Sequence, residues 1–159
     1  MYNIKTKSLS QAKGKYRFKK YKAGTKELLY TTPWTKNLVV SSENRGVNIF
    51  IKNMQGLFTY NPQITSASIG KGTTPASDSD TDLETPILED ILVATFEETD
   101  LETLTITFFI PDSELDNDTY TEFGMFCGTQ LFARSIITPS YVKGSNEDTQ
   151  CEYVININN

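Results

Sequence analysis

The chain of 159 residues contains no histidine. Histidine is the side chain most often used for general acid–base catalysis near neutral pH, and the usual serine and cysteine triads depend on it. The sequence also contains no known hydrolase, kinase or nucleotide-binding motif. Carboxylate or lysine chemistry needs no histidine, but no catalytic grouping of such residues stands out. The sequence therefore predicts a protein that is not an enzyme, with no catalytic residues and no cofactor.

Cysteine is scarce as well, with only Cys127 and Cys151. Two cysteines cannot complete a structural zinc site without outside ligands. In a reducing compartment, such residues are more often small buried hydrophobes than the halves of a disulfide. We therefore expect two free thiols and no metal centre.

Long apolar runs are missing too. None approaches the roughly 18 residues that a helix needs to span a bilayer, and the densest run covers only residues 91–96. The N-terminal residues are polar and lack the apolar core of a signal peptide. We expect no membrane insertion and a protein made in cytosol-like conditions.

Charge is unevenly divided along the chain. Residues 1–52 carry 12 basic and two acidic side chains, whereas residues 53–159 carry three basic and 18 acidic ones, for a total of −5. The basic residues are densest in one alternating segment, and they are Lys13, Lys15, Arg17, Lys19, Lys20 and Lys22. Because one chain supplies both signs, we expect this segment to dock on an acidic surface of another copy or of a different partner.

Two other interpretations of the basic segment remain open. It alternates with Tyr16, Phe18 and Tyr21, as the solvated face of a strand would. Clustered lysine and arginine also neutralise phosphates, but no nucleic-acid-binding module is visible and the acidic remainder would repel a phosphate backbone. We predict no nucleic-acid partner.

Alternating apolar residues predict a chain made mostly of strands. The predicted strands cover residues 15–21, 27–31, 37–40, 64–69, 91–97, 104–110, 120–127, 131–137 and 151–157. Val47, Phe50, Ile51 and Met54 have helical spacing, and Gly56 is placed to end that helix. Because short loops join the later strands, we predict an antiparallel all-β sandwich, jelly-roll-like, with one short α-helix. Residues 13–159 form its single domain, and residues 1–12 form a flexible basic arm.

Glycines mark the predicted turns. Gly128 and Thr129 separate two alternating runs, which predicts a β-hairpin with a type II′ turn. Gly70 and Gly72 begin a longer loop, which we expect to adjust more easily than the tight turn. Gly124 and Arg134 are expected to be structural residues of the two hairpin strands.

The loop that follows Gly72 is rich in acids. Asp78, Asp80, Asp82 and Glu84 suggest a calcium loop, but the glycine and the distal glutamate of an EF-hand are absent. A solvated loop is the competing interpretation, and we predict no metal.

The order of several segments resembles a family of tail and tail-fibre-associated virion proteins of tailed bacteriophages. The resemblance lies in TEFGMFCGTQLFARSIITPSYVKGSNEDTQCEYVININ at 121–158, ITSASIGKGTTPASDSDTDLETP at 64–86, and KNLVV before RGVNIFIKNMQG at 36–56. The matching hairpin positions are Glu122, Gly124, Met125 and Phe126, followed by Phe132, Ala133, Arg134 and Lys143.

This resemblance implies a structural protein of the virion, assembled in the host cytoplasm, that acts in the tail, baseplate, neck or fibre attachment. Other virion proteins and copies of itself would be its partners. The alternative is a carbohydrate- or receptor-binding module of the virion, in which Trp34, Tyr60 and Tyr141 stack on a host-surface glycan.

Overall fold

The computed structural model describes residues 13–156. Its elements are β1 (Lys13–Lys22), β2 (Leu28–Thr31), β3 (Thr35–Val39), α1 (Val47–Met54), β4 (Ser66–Gly70), β5 (Pro86–Asp100), β6 (Thr103–Ile110), β7 (Thr119–Cys127), β8 (Gln130–Val142) and β9 (Glu147–Asn156). One turn of 3-10 helix, Asp112–Glu114, lies between β6 and β7. Strands thus occur where the sequence predicts them, and the all-β prediction is confirmed. The predicted arm, residues 1–12, lies outside the described residues.

The strands close into an eight-stranded barrel. Their order is β1–β3–β8–β7–β4–β5–β6–β9, and β9 pairs with β1 to complete the ring. Every pairing is antiparallel. The jelly-roll sandwich that the sequence predicts is therefore not the arrangement of these strands. Alternation tells which side chains point inward, but it cannot tell whether the two end strands of a sheet meet.

Pairing between β1 and β9 is what closes the ring. It runs from Lys13 opposite Asn156 to Lys22 opposite Glu147 without interruption. On the other side of β1, its first half pairs with β3 and its second half with β2. The basic segment is therefore an internal strand with neighbours on both sides, and not an edge.

Aromatic rings fill the barrel. Tyr16 and Phe18 point inward from β1, and their rings lie 5.0 and 5.7 Å from the ring of Phe123 on β7. The buried Tyr16 hydroxyl is hydrogen-bonded to the hydroxyl of Ser135 at 2.7 Å. The Tyr153 hydroxyl accepts a hydrogen bond from the Asn37 amide. Because these buried hydroxyl groups have hydrogen-bond partners, the cost of removing them from water does not cancel the free energy gained by burying the rings.

Helix α1 lies where it is predicted, but its predicted apolar stripe is not buried. Phe50, Ile51 and Met54 are exposed, and Ile49 is the residue that packs into the core. The helix ends as predicted, because Gly56 follows it with a φ of +79°. The apolar stripe is a property of the sequence, whereas the buried face depends on where the barrel lies.

Both cysteines are free and buried, as expected. Burial raises the pKa of the Cys127 thiol to about 12, and it also raises the pKa of Cys151. Neither thiol is ionised at neutral pH, so both act as small apolar residues.

Candidate assembly surface

One outer face of the barrel, formed by β4, β7 and β8, is covered by the loop of residues 71–85. Glu122 on β7 is fully buried beneath this loop. Its Oε1 accepts hydrogen bonds from the backbone N–H of Gly72 at 2.9 Å and of Thr85 at 2.6 Å. Its Oε2 accepts one from the N–H of Glu84 at 2.9 Å. A single carboxylate thus holds both ends of the loop.

Arg134 on β8 completes this buried network. Its guanidinium lies 3.0 Å from Glu122 Oε2 and donates to Asp80 Oδ2 at 2.8 Å and to the Thr74 carbonyl at 3.1 Å. Burial acts to lower the pKa of Arg134, but the hydrogen bonds to Asp80 and Glu122 outweigh it and the pKa is raised. Arg134 therefore remains charged and fixes the middle of the loop.

The glycines of this face allow the loop to approach closely. A Cβ on Gly72 would lie 2.6 Å from the Glu122 carboxylate, and one on Gly70 would lie 2.3 Å from the Thr85 carbonyl oxygen. A Cβ on Gly124 would meet the Leu83 side chain at 2.5 Å. At Gly128 a Cβ would meet nothing within 4 Å, although its φ of +58° suits the predicted turn. The close approach at Gly72 gives a reason to expect the opposite of the predicted order, while the positive φ at Gly128 also disfavours a side chain, so the order stays a prediction.

Two of the carboxylates that suggested calcium, Asp80 and Glu84, are held by hydrogen bonds within the protein. Asp80 contacts Arg134, and Glu84 Oε2 accepts hydrogen bonds from the N–H groups of Thr73 and Thr74, both at 2.8 Å. These hydrogen bonds lower the pKa of Glu84. Across residues 13–156, no three metal-ligating side chains are grouped so as to hold an ion.

A second ionic cluster lies at the end of the barrel where β9 begins. The ammonium of Lys143 is buried and donates to Asp112 Oδ1 at 2.6 Å, to Asn117 Oδ1 at 3.2 Å and to the Gly144 carbonyl. The hydrogen bond from Lys143, followed by one from the Glu147 N–H, lowers the pKa of Asp112. Since the ammonium has three acceptors, this cluster is a structural one.

Half of the basic segment finds its acids within the same chain. Arg17 Nε lies 2.7 Å and Lys19 Nζ 3.0 Å from Glu152 Oε2, and Lys20 Nζ lies 3.3 Å from Glu147 Oε2. Burial acts to raise the pKa of Glu152, but the hydrogen bonds from Arg17 and Lys19 outweigh it and the pKa is lowered. Lys22 approaches Glu27 only at 4.0 Å, and the side chain of Lys13 lies outside the described part. Docking of the segment on a partner stays a prediction.

Other lysines nearby have no such partner. Lys15, Lys26 and Lys36 are exposed, and none forms an ion pair with a described carboxylate. Lys15 lies directly opposite Lys36 in the pairing of β1 with β3. Like charges opposite each other on neighbouring strands are destabilising. Around Lys15 and Lys36 the surface is therefore positive without compensation from the described part of the chain. Lys26 lies beyond the opposite end of β1, just before β2, where Asp112 and Asp148 line the same depression.

Apolar side chains lie beside these lysines. Leu28, Leu29 and Tyr30 follow one another on β2 and are all about half exposed. The ring of Trp34, also exposed, has Lys15 Nζ 4.8 Å and Arg17 Cζ 4.3 Å from its centre. We call these four apolar residues with Lys15, Lys26 and Lys36 the basic–apolar surface.

The hairpin of β5 and β6 has the opposite character. Four acids lie within six residues at its end, namely Glu97, Glu98, Asp100 and Glu102, and none is ion-paired with a side chain that the structure describes. Leu101 between them is 95% exposed, and Phe96 is exposed as well. We call residues 96–102 the acidic hairpin.

The aromatic residues suggested for glycan stacking are differently placed. Tyr141 is buried, with its ring 4.5 Å from that of Phe18, and Tyr60 packs against the core. Of the three, only Trp34 is exposed. The three rings therefore do not form one sugar-binding platform.

Sequence reasoning overlooked both buried ionic clusters. Glu122 lies opposite Ile136 and Gly124 opposite Arg134, so the two charges are diagonal neighbours on one face of the hairpin. The Gly128 turn alone does not predict this proximity, because an irregularity between Met125 and Phe126 shifts the register by one residue and brings Arg134 opposite Gly124 instead of Phe123. The contact of Lys143 with Asp112 carries no local signal either.

Within the described residues 13–156, no helix has the length and apolar character to cross a membrane. No family model matches the chain, and neither the curated proteins nor the solved structures include a match.

Proposed function

We propose that the protein is a structural subunit of a tailed-bacteriophage particle, which acts through assembly contacts with other virion proteins and with copies of itself. Its place in such a particle would be the tail, the baseplate, the neck or the fibre attachment. The sequence resemblance motivates the kind of particle, and the exposed strand β2 motivates assembly as the activity.

The proposal rests mainly on the unpaired edge of strand β2. It pairs with β1 on one side, and no strand among residues 13–156 pairs with its other side. An unpaired strand edge presents free N–H and C=O groups, and proteins normally protect it with charge, proline or a covering loop. Here it carries Leu28, Leu29 and Tyr30. Such an edge is suited to accept a strand or an apolar surface of a partner.

Glycan or receptor binding is the second candidate, and it has narrower support. Trp34 is exposed as a sugar-stacking ring would be, but Lys15 and Arg17 already lie over it. A single ring offers little specificity for a glycan compared with a convergent set of aromatic and polar groups. We therefore place assembly first.

The test is the protein content of particles. Phage particles from the strain that encodes this chain would be purified by density gradient, and their proteins quantified by mass spectrometry. The proposal requires the chain at a fixed copy number per particle. If it stays in the soluble fraction when particles are separated, the proposal fails.

A matched pair of variants then tests the role of β2. Leu29 on β2 is 48% exposed, and Ile87 on β5, outside the basic–apolar surface, is 47% exposed. In a strain that lacks the wild-type gene, Leu29→Lys should lower the number of copies incorporated, whereas Ile87→Lys should not. Equal incorporation of both variants would remove β2 from the assembly contacts.

A further inference from the structure

We infer that the acidic hairpin of one copy docks on the basic–apolar surface of a second copy of the same chain. This inference rests on the proposed assembly function and names the partner of the surface that function uses. The acids of the hairpin then have their counterpart in the next subunit.

Charge complementarity is the first argument. The acidic hairpin carries four carboxylates without an ion-paired side chain in the described part, and the basic–apolar surface carries three lysines in the same condition. Elsewhere in the molecule, charges of both signs pair across strands, as Arg17 and Lys19 do with Glu152. Other exposed acids of the described part, such as Asp78, Glu114 and Asp116, are unpaired there as well, but the hairpin is distinguished by four acids within six residues. Opposite potentials on two surfaces steer encounter and fix register.

The two sets do not pair with each other in the described part of one chain. Glu97 lies opposite Thr105, Thr105 opposite Val154, and Val154 opposite Lys15. Three strand spacings therefore separate the backbones of Glu97 and Lys15, which is about 14 Å around the barrel at 4.7–4.9 Å per spacing. Because no ion pair forms across this separation, both sets remain available to a second molecule.

Apolar complementarity is the second argument. Each surface has exposed apolar side chains among its charges, Phe96 and Leu101 on one and Leu28, Leu29, Tyr30 and Trp34 on the other. Stable interfaces combine an apolar centre, often aromatic, with a polar and charged rim. Leu101, 95% exposed in the turn between β5 and β6, is available to contact the half-exposed apolar side chains of β2, which has no strand partner on one side in the described part.

Each copy carries both surfaces, so the geometry of docking determines which oligomer forms. If the two docking contacts of a pair are reciprocal, the result is a two-fold dimer. If they are not, each copy adds to the next and a ring or a filament forms. Either product fits the inference, and its mass distinguishes them.

Charge reversal with rescue is the test. One variant carries Lys15→Glu, Lys26→Glu and Lys36→Glu, and the other carries Glu97→Lys, Glu98→Lys and Glu102→Lys. Asp100 is kept because its carboxylate accepts a hydrogen bond from the Glu102 N–H in the turn. A control with Asp78→Lys, Glu114→Lys and Asp116→Lys changes net charge as much as the second variant does, at exposed acids elsewhere.

Sedimentation velocity at about 50 mM and about 500 mM salt provides the measurement, because screening at the higher salt weakens such contacts. The wild type and the control should associate at low salt and dissociate at high salt. Each triple reversal should weaken association at low salt by about tenfold or more. An equimolar mixture of the two reversals should restore it, because their charges complement each other.

Several results would overturn the inference. They are a wild type that stays monomeric at low salt, a hairpin reversal that associates like the wild type, a control that fails equally, or a mixture without rescue. None of these results bears on the copy number of the chain in purified particles. The chain can therefore be present in virions even if this contact is refuted. Loss of the chain from particles, with rescue intact, would instead refute the proposed function alone.

Discussion

The loop-covered face of the barrel and the basic–apolar surface both carry charge, but they treat it in opposite ways. On the covered face, Glu122 and Arg134 are buried, and both carboxylate oxygens of Glu122 accept hydrogen bonds from the backbone of the loop. On the basic–apolar surface, Lys15, Lys26 and Lys36 remain in water without an ion pair to a described carboxylate. Buried, hydrogen-bonded charge on the covered face holds the fold together, whereas exposed, unpaired charge on the basic–apolar surface is available to a partner.

The largest effect is expected from breaking the covered face. Arg134→Met should lower the free energy of unfolding by about 3–5 kcal/mol, because it leaves the Glu122 carboxylate buried without its cation. Urea denaturation provides the measurement. Lys71→Met is the control, since it removes the half-exposed ion pair between Lys71 and Asp118 and should shift the midpoint much less. Equal midpoints for the two variants would mean that the buried network does not hold the loop.

Substitutions at Gly72 in the covering loop and at Gly128 in the β7–β8 turn should lower the free energy of unfolding by different amounts. Gly72→Ala should cost about 2–3 kcal/mol, since its Cβ must displace the buried Glu122 carboxylate or the loop. Gly128→Ala should cost about 1–2 kcal/mol, because a positive φ disfavours a side chain although the surrounding space is open. The two urea midpoints decide the order, and the reverse order would show that the loop can move away from Glu122.

Stability should depend on pH at both ends of the scale. The pKa values of Glu84, Asp112, Asp118 and Glu152 are lowered in the folded protein. The unfolded chain therefore takes up protons first, and stability is lost as the pH falls below about 4.5, the ordinary glutamate value. Burial raises the pKa of Cys127 from 9.0 to about 12, so stability that is complete below pH 9 is lost above it.

Thermal melting from pH 3 to pH 11 checks this profile. Glu152→Gln should make the acid limb less steep, because it removes one of the carboxylates with a lowered pKa. A melting temperature that stays constant down to pH 3 would contradict the assignment.

The smallest effects on stability are expected from charge reversals on β1 and its neighbour β3, where ion-paired and unpaired basic residues should differ. Reversing Arg17 and Lys19 to Glu places two carboxylates against Glu152 and should cost about 1–2 kcal/mol. Reversing Lys15 and Lys36 to Glu should change stability by less than about 0.5 kcal/mol. The second pair is thus the cleaner probe of assembly. If both pairs cost the same in urea denaturation, the distinction between paired and free lysines is lost.

Much of the fold was accessible from local patterns. Alternation located the strands, and the glycine–threonine pair at 128–129 located the hairpin. The apolar stripe located α1 but misassigned its buried residue, since Ile49 and not Phe50 faces the core. Of the candidate assembly surface, the sequence indicated the basic segment but gave no sign that Arg17, Lys19 and Lys20 face acids on β9.

The sequence by itself determined which segments become strands and which of their side chains are apolar, because these are properties of neighbouring residues. Only the tertiary structure decided that the sheet closes through β1 and β9, that Glu122 meets Arg134 beneath a loop, and that β2 remains unpaired on one side. Those features depend on an irregularity in the β7–β8 register and on contacts between residues far apart in the chain, and alternation along one strand shows neither. The division between satisfied and free charge follows from that closure, since the same strand β1 presents Arg17 to Glu152 and leaves Lys15 to solvent.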